Sequence, residues 1–165
     1  MRGRLRIVEA QSRETVGTAK ALFLEYASTL SFDLSFQHFD EEMVTFPIQY
    51  SPPTGSLLVA YEDRKPAGCV GLRRLEEGVC EIKRLYVRSE FRGLGIGRAL
   101  ALNVIDVGRR LGYVRMRLDT VPSMHEAIAL YRTLGFRQIP QYRDNPVSGA
   151  LFFELLLSEV GIKAP

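Results

Sequence analysis

The sequence predicts an α/β fold, a mixed sheet flanked by helices, and three observations carry that prediction. Between residues 57 and 87 apolar runs alternate with short charged turns, the pattern of an antiparallel meander. A strand ending in Ile82-Lys83-Arg84-Leu85-Tyr86-Val87 leads through a glycine-rich turn to Leu100, Val104, Val107 and Leu111 at helical spacing. With 165 residues, 46% of them hydrophobic, the chain is long enough to bury a core and too apolar to stay disordered.

Each element has a local reason. Residues 5–10 alternate as a first strand. Val16, Ala19, Leu22, Phe23, Tyr26 and Leu30 share one stripe and predict a long helix over 13–30, and a shorter helical pattern covers 38–46. Pro47 and the run Ser51-Pro52-Pro53-Thr54-Gly55 break the chain before strands at 57–61 and 67–72. A third strand, 79–87, follows the turn at Glu76-Glu77-Gly78. The helix after the glycine turn stops at Gly112, and 115–119 is a further strand. Ser123 with Glu126 reads as a capping box after Pro122, opening a helix that Gly135 closes; 150–157 is the last strand. No repeat or linker divides residues 1–165, which are expected to form a single domain.

The turn Arg92-Gly93-Leu94-Gly95-Ile96-Gly97-Arg98 is the most informative stretch. Glycines reach φ > 0 and remove the Cβ atoms that keep a ligand away, so successive amides can converge on phosphate oxygens at the positive end of a helix dipole. Arg92 and Arg98 add charge at its edges.

At this point the sequence resembles the GNAT superfamily, the acetyl-coenzyme A-dependent N-acetyltransferases. Its signature, Arg or Gln-x-x-Gly-x-Gly or Ala, is met by Arg92, Gly95 and Gly97. A second hallmark, Ala-x-x-Leu-Tyr-x-x-x-Gly-Phe, is met by Ala127, Leu130, Tyr131, Gly135 and Phe136, about 35 residues further on. The resemblance implies a largely antiparallel sheet of six to seven strands with one splayed parallel pair, here 79–87 and 115–119, and about four helices. It implies direct transfer of an acetyl group from acetyl-CoA, a co-substrate, to a primary amine.

The same resemblance distributes roles. Main-chain groups of Leu85, Tyr86 and Val87 pair with the pantetheine arm, an N–H near Leu85 faces the thioester oxygen, and the amides of Gly93, Leu94, Gly95, Ile96, Gly97 and Arg98 cradle the pyrophosphate with Arg92 assisting. Tyr131 is expected as general acid toward the leaving thiolate and Glu81 as the base, although Lys83, two residues on in the same strand, would weaken that base by pairing with it. Met124 stands where relatives often carry an Asn that reaches the cofactor. The acceptor pocket is expected from 31–39 and 138–149. Arg143 with Arg73 or Arg74 would suit a carboxylate, and Asp33 or Asp40 an ammonium, with no ranking between them; the acceptor is expected to be a small-molecule or peptide amine, a small or amino-acid-like one being weakly preferred.

Bulk properties narrow the field. A net charge of +3 spread along the chain suits a polyanionic carrier and falls short of a nucleic-acid footprint. Cys69 and Cys80, without CxxC spacing, read as reduced core thiols, and a cytoplasmic location follows as the expectation. His38 and His125 lack ligand-like neighbours, so no metal is expected. No apolar run long enough for a membrane span is present. Monomer and homodimer both stay open. A dinucleotide-binding fold fails because Arg98 stands where a third glycine is required. The non-enzymatic alternative is an acyl-CoA-binding sensor on the same fold, separable from an enzyme by turnover.

Overall fold

The structure, a computed structural model, describes residues 3–34 and 38–157. Strand β1 (Leu5–Glu9) precedes helices α1 (Arg13–Thr29) and α2 (Phe39–Thr45), and the meander is β2 (Ser56–Glu62), β3 (Lys65–Glu76) and β4 (Val79–Val87). Helix α3 (Ile96–Arg110) leads to β5 (Arg115–Thr120), and α4 (His125–Thr133) to β6 (Arg137–Ile139) and β7 (Leu151–Leu156). The described strands form one sheet of seven in the order β1-β2-β3-β4-β5-β7-β6. Every neighbour pair is antiparallel except β4 with β5. The mixed sheet with its single parallel pair is the fold class the sequence predicts.

Two local expectations change. Strand β6, three residues long at the sheet edge, is too short to show alternation and lies at the start of a segment expected to be loop. Helix α4 opens without a side-chain cap: its N-cap is Met124, not Ser123, because Val121 accepts from the Met124 amide and closes a turn first. Helix α1, by contrast, carries a full capping box between Ser12 and Thr15.

Both faces of the sheet are covered. Leu100 and Val104 of α3 and Tyr131 of α4 belong to a core with Val70, Leu72, Ile82, Met116 and Leu118. Ala19, Leu22 and Phe23 of α1 and Phe39 and Met43 of α2 pack with Leu57, Val59, Cys69 and Tyr86 on the opposite face. Each large apolar side chain so buried contributes roughly 1.5–3 kcal/mol, so the sheet is held from both sides as well as by its own hydrogen bonds.

The site comes from a failure of pairing. β4 and β5 match only at Val79↔Arg115, Cys80↔Met116 and Glu81↔Arg117. Beyond Glu81, β4 stays with β3 as far as Gly68↔Val87, while β5 stays with β7 as far as Thr120↔Leu151. The sheet therefore opens into a V with intact strands on either side. β4 also carries a bulge: Gly71 faces Lys83 and Cys69 faces Tyr86, so three steps along β4 oppose two along β3. Arg84 absorbs it at φ 60, a left-handed conformation that costs a non-glycine residue roughly 1–2 kcal/mol.

Candidate active site

At the mouth of the V lies the glycine turn. Gly93 and Gly95 adopt φ 80 and 81, and a Cβ built on either would meet nothing within 4 Å. Gly95 is the N-cap of α3 and offers no side-chain cap. The first bond of the helix runs from the Ala99 amide to the Gly95 carbonyl, which leaves the amides of Ile96, Gly97 and Arg98 with no acceptor inside the helix. Open space above main-chain donors at a positive helix end fits a diphosphate. Gly97 is half-buried, and a Cβ there would lie 3.6 Å from Val87. Arg92 donates from Nε to the Val87 carbonyl at 3.2 Å, so these two residues, both expected to hold the cofactor, are first bound to each other.

Deeper in the V, Tyr26, Phe32, Leu34, Ile82, Lys83, Arg84, Asp119, Thr120, Val121, Met124 and Asn145 line an open cleft. Lys83 and Arg84 are neighbours that a regular strand would send to opposite faces; the bulge lets both line the same cleft. The Arg84 guanidinium is buried against Glu42 of α2, with Nη2 at 3.3 Å, and lies over the Phe39 ring. Asn145 donates to Asp119 Oδ2 at 3.2 Å.

Glu81 lies beside this cleft, fully buried and densely bonded. Arg73, its partner across β3, donates from Nε to Oε1 at 3.0 Å. Tyr142 donates its hydroxyl to Oε2 at 2.6 Å, and Arg143 reaches both oxygens, at 2.8 and 2.6 Å. Burial alone would raise the Glu81 carboxyl; the charges of Lys83, Arg143 and Arg73, with the Tyr142 bond, outweigh it and hold the group below the usual carboxylate range. Such an environment keeps Glu81 ionised and weakens it as a proton acceptor. Lys83 is pushed the other way for its class. Burial lowers it to about 7, against the raising effect of Glu81 and Asp119 and with Arg84 and Arg143 lowering it further.

Tyr131 is 5% exposed and packs on Phe136 and Phe153, with ring centroids 5.6 and 6.4 Å away. Burial, followed by Tyr26 and Asp119, raises its hydroxyl well above the ordinary tyrosine value. Leu85 and Val87 pack toward the α3 core, whereas Tyr86 faces α1, where its hydroxyl donates to Glu25 at 2.9 Å. Arg88 grips the same Glu25 carboxylate, tying the end of β4 to α1. Burial pushes the thiols of Cys69 and Cys80 up, Cys80 to about 12, so both are free, protonated core groups.

The expected residues thus fall into two groups. The glycine turn and Leu85 to Val87 meet at the open end of the V, and Glu81 meets Arg73, Tyr142 and Arg143 at its base. The carboxylate those arginines hold is the protein's own. Asp33 and Asp40 are exposed, and Asp119 is the carboxylate in the cleft wall. Of the early acceptor segment, Phe32 and Leu34 line the cleft; residues 35–37 lie outside the described residues. Sequence reasoning missed Lys83 as a cleft residue, together with Arg84 and Tyr26, whereas Asn145 falls in the expected acceptor segment 138–149. The available signal was a Lys-Arg pair inside a strand apolar on both flanks, where charge needs a reason.

A sheet parted at its parallel pair, with first-turn amides of α3 that have no acceptor inside the helix at one end and a charged cleft at the other, is an arrangement that can hold an anionic group beside a second molecule. The acetyltransferase (GNAT) family profile matches residues 20–136. The chain belongs to that family and is an acetyltransferase. It is 38% identical over 142 residues to an uncharacterized N-acetyltransferase of Schizosaccharomyces pombe, covering 85% of this chain and 87% of that protein. It is 32% identical over 126 residues to the N-acetylaspartate synthetase of Danio rerio, covering 71% of this chain and 45% of the synthetase. A GNAT-family acetyltransferase structure from Staphylococcus aureus Mu50 superposes with a TM-score of 0.76 at 20% identity, covering 93% of this chain and 99% of the other.

Proposed function

We propose that this acetyltransferase moves the acetyl group of acetyl-CoA to the primary amine of a small, amino-acid-like acceptor. The observation that carries the reading is the V-shaped opening past Glu81, with unsatisfied first-turn amides of α3 at one end and a charged cleft at the other. Acetyl-CoA, when bound, supplies the activated thioester. The chain's own groups do the rest. The amides of Gly93 to Arg98 hold the diphosphate, with Arg98 adding charge at the rim, and the β4 edge from Leu85 to Val87 aligns the carrier as an added strand would. The bulge at Arg84 and Leu85 turns main-chain groups out of the ladder, supporting an N–H at Leu85 as the donor to the developing oxyanion.

Within this reading Glu81 is a positioning residue that anchors Arg73, Arg143 and Tyr142 and so sets the charge at the base of the cleft. Tyr131 donates to the leaving thiolate. The relative named N-acetylaspartate synthetase supports an amino-acid-like acceptor. The test is incubation of the protein with acetyl-CoA and a panel containing L-aspartate, other amino acids, simple amines and peptides, with free thiol and acceptor mass followed together. Thiol release matched by a 42-dalton gain (roughly the mass of an added acetyl less a proton) on an amino acid is the expected result. Binding of acetyl-CoA with no transfer to any amine would overturn the reading and leave a sensor.

A further inference from the structure

Resting on that reading, we infer that Lys83 is the group that takes the proton from the acceptor's ammonium, a catalytic role the sequence assigns to Glu81. Three placements carry it. Lys83 is 4% exposed yet lines the cleft, so it reaches the acceptor's space rather than bulk water. It stands two residues before Leu85 on the strand that forms one wall of the V, with the bulge at Arg84 between them. Glu81, meanwhile, gives both oxygens to Arg73, Tyr142 and Arg143.

The charges acting on Lys83 are Glu81 and Arg84 from its own strand, Asp119 from β5 and Arg143 from the 140–150 segment. Tyr26 of α1 shares the cleft, Arg73 and Tyr142 act through Glu81, and Glu42 of α2 is bonded to Arg84. The balance leaves the ammonium form disfavoured by burial, with the amine titrating at about 7. A base poised near the operating pH outperforms one held below the carboxylate range.

The step balances as follows. One N–H bond of the acceptor ammonium breaks and its proton goes to Lys83 Nζ. The released lone pair forms the N–C bond to the thioester carbon, and the C–S bond breaks with its electron pair on sulfur. A second nitrogen proton ends on the thiolate, Tyr131 assisting, and Lys83 returns its proton to water.

Two measurements test this on the intact protein. Lysine labelled with carbon-13 at Cε, read by NMR across pH 5–11 (a range chosen to bracket about 7 and the ordinary value near 10.4), reports Lys83 without any acceptor, its resonance assigned by its loss in Lys83→Met. Titration near 7 is expected; titration above about 9.5 overturns the inference even if the protein acetylates amines.

With acetyl-CoA and L-aspartate, or the best amine of the panel, wild-type kcat should rise tenfold per pH unit below about 7 and level above it. Lys83→Met should fold, as circular dichroism checks, and lose roughly 100-fold or more in kcat at pH 7 together with that limb. Lys83→Arg keeps a cation that never becomes neutral and should be equally slow. An active Lys83→Arg would make Lys83 a charge anchor and overturn the inference, as would an unchanged profile in Lys83→Met. If no amine is acetylated, the proposed function fails, and a titration near 7 leaves the state of Lys83 established separately from it.

Discussion

The two ends of the V are built from different materials. At the proposed carrier end the groups on offer are main-chain amides on a turn that touches little else: Gly93 and Gly95 have open space above them, and Arg92 and Arg98 are exposed. At the proposed acceptor end the groups are largely buried side chains brought together from α2, β3, β4, β5 and the 140–150 segment. One end is local in sequence and exposed; the other is non-local and largely buried. The contrast sets what a substitution does. Damage at the carrier end should stay in binding, and damage at the acceptor end should spread into stability.

Glu81→Ala is the largest expected effect and the sharpest test of that rule. It removes the acceptor of Arg73, Arg143 and Tyr142 together, and Arg143 already holds a buried Nε without a partner. Breaking a buried pair by deleting one partner costs about 3–5 kcal/mol, and the partial exposure of both arginines places the loss at the lower end. Urea unfolding should therefore show about 3 kcal/mol of destabilisation while calorimetry finds CoA affinity within about twofold of wild type. A stable Glu81→Ala protein would mean that the acceptor end is not the interlocked structure its distances describe. The pH dependence has the same origin. Because the folded pKa of Glu81 is lowered, its contribution is present above the unfolded value near 4.5 and is lost as pH falls through the folded one.

Gly95→Val is the matching test at the carrier end. The built Cβ meets nothing, so the fold bears only the left-handed strain of roughly 1–2 kcal/mol, somewhat more for a β-branched residue. The isopropyl group would instead fill the space over the amides of Ile96 to Arg98. CoA affinity, measured by calorimetry, should fall by about 100-fold, close to 2.7 kcal/mol, with circular dichroism unchanged. Unaltered affinity would remove the cradle and with it the comparison.

How much of this was legible follows the same division. The glycine turn could be read because a strand, three glycines and a helical stripe are consecutive, and backbone geometry is a local property. The two-faced sheet was legible for a related reason: period-two and helical stripes encode burial directly, as with Val16 to Tyr26 of α1. The acceptor end was legible only as two segments, 31–39 and 138–149, and not as contacts. Nothing near Glu81 in sequence announces that Tyr142, 61 residues on, will donate to it, or that Asn145 will bond Asp119. The bulge was equally hidden, since Arg84 carries no glycine signature at φ 60, and without it Lys83 and Arg84 read as alternating faces. Ser123 and Glu126 misled for a smaller reason: a capping pattern two residues after Val121 cannot act when that carbonyl has already closed the turn through Met124.

Tyr131 belongs to both ends, since it packs in the α3 and α4 core yet feels Asp119 and Tyr26 of the cleft, and its substitution should have the smallest effect. A leaving thiol titrates near 8.5 and an ordinary tyrosine near 10, and burial raises Tyr131 further, so full transfer from its hydroxyl to the thiolate runs uphill. In the proposed reaction its contribution is a hydrogen bond that strengthens as negative charge grows on sulfur. Tyr131→Phe keeps the ring contacts with Phe136 and Phe153 and removes that bond alone. We expect kcat to fall about tenfold, or roughly 1.4 kcal/mol, with KM for acetyl-CoA and the melting temperature nearly unchanged. A drop of about 1000-fold would instead make the tyrosine an obligatory acid, which requires a thiolate desolvated as strongly as the phenol and hence a carrier end far drier than its exposed turn describes.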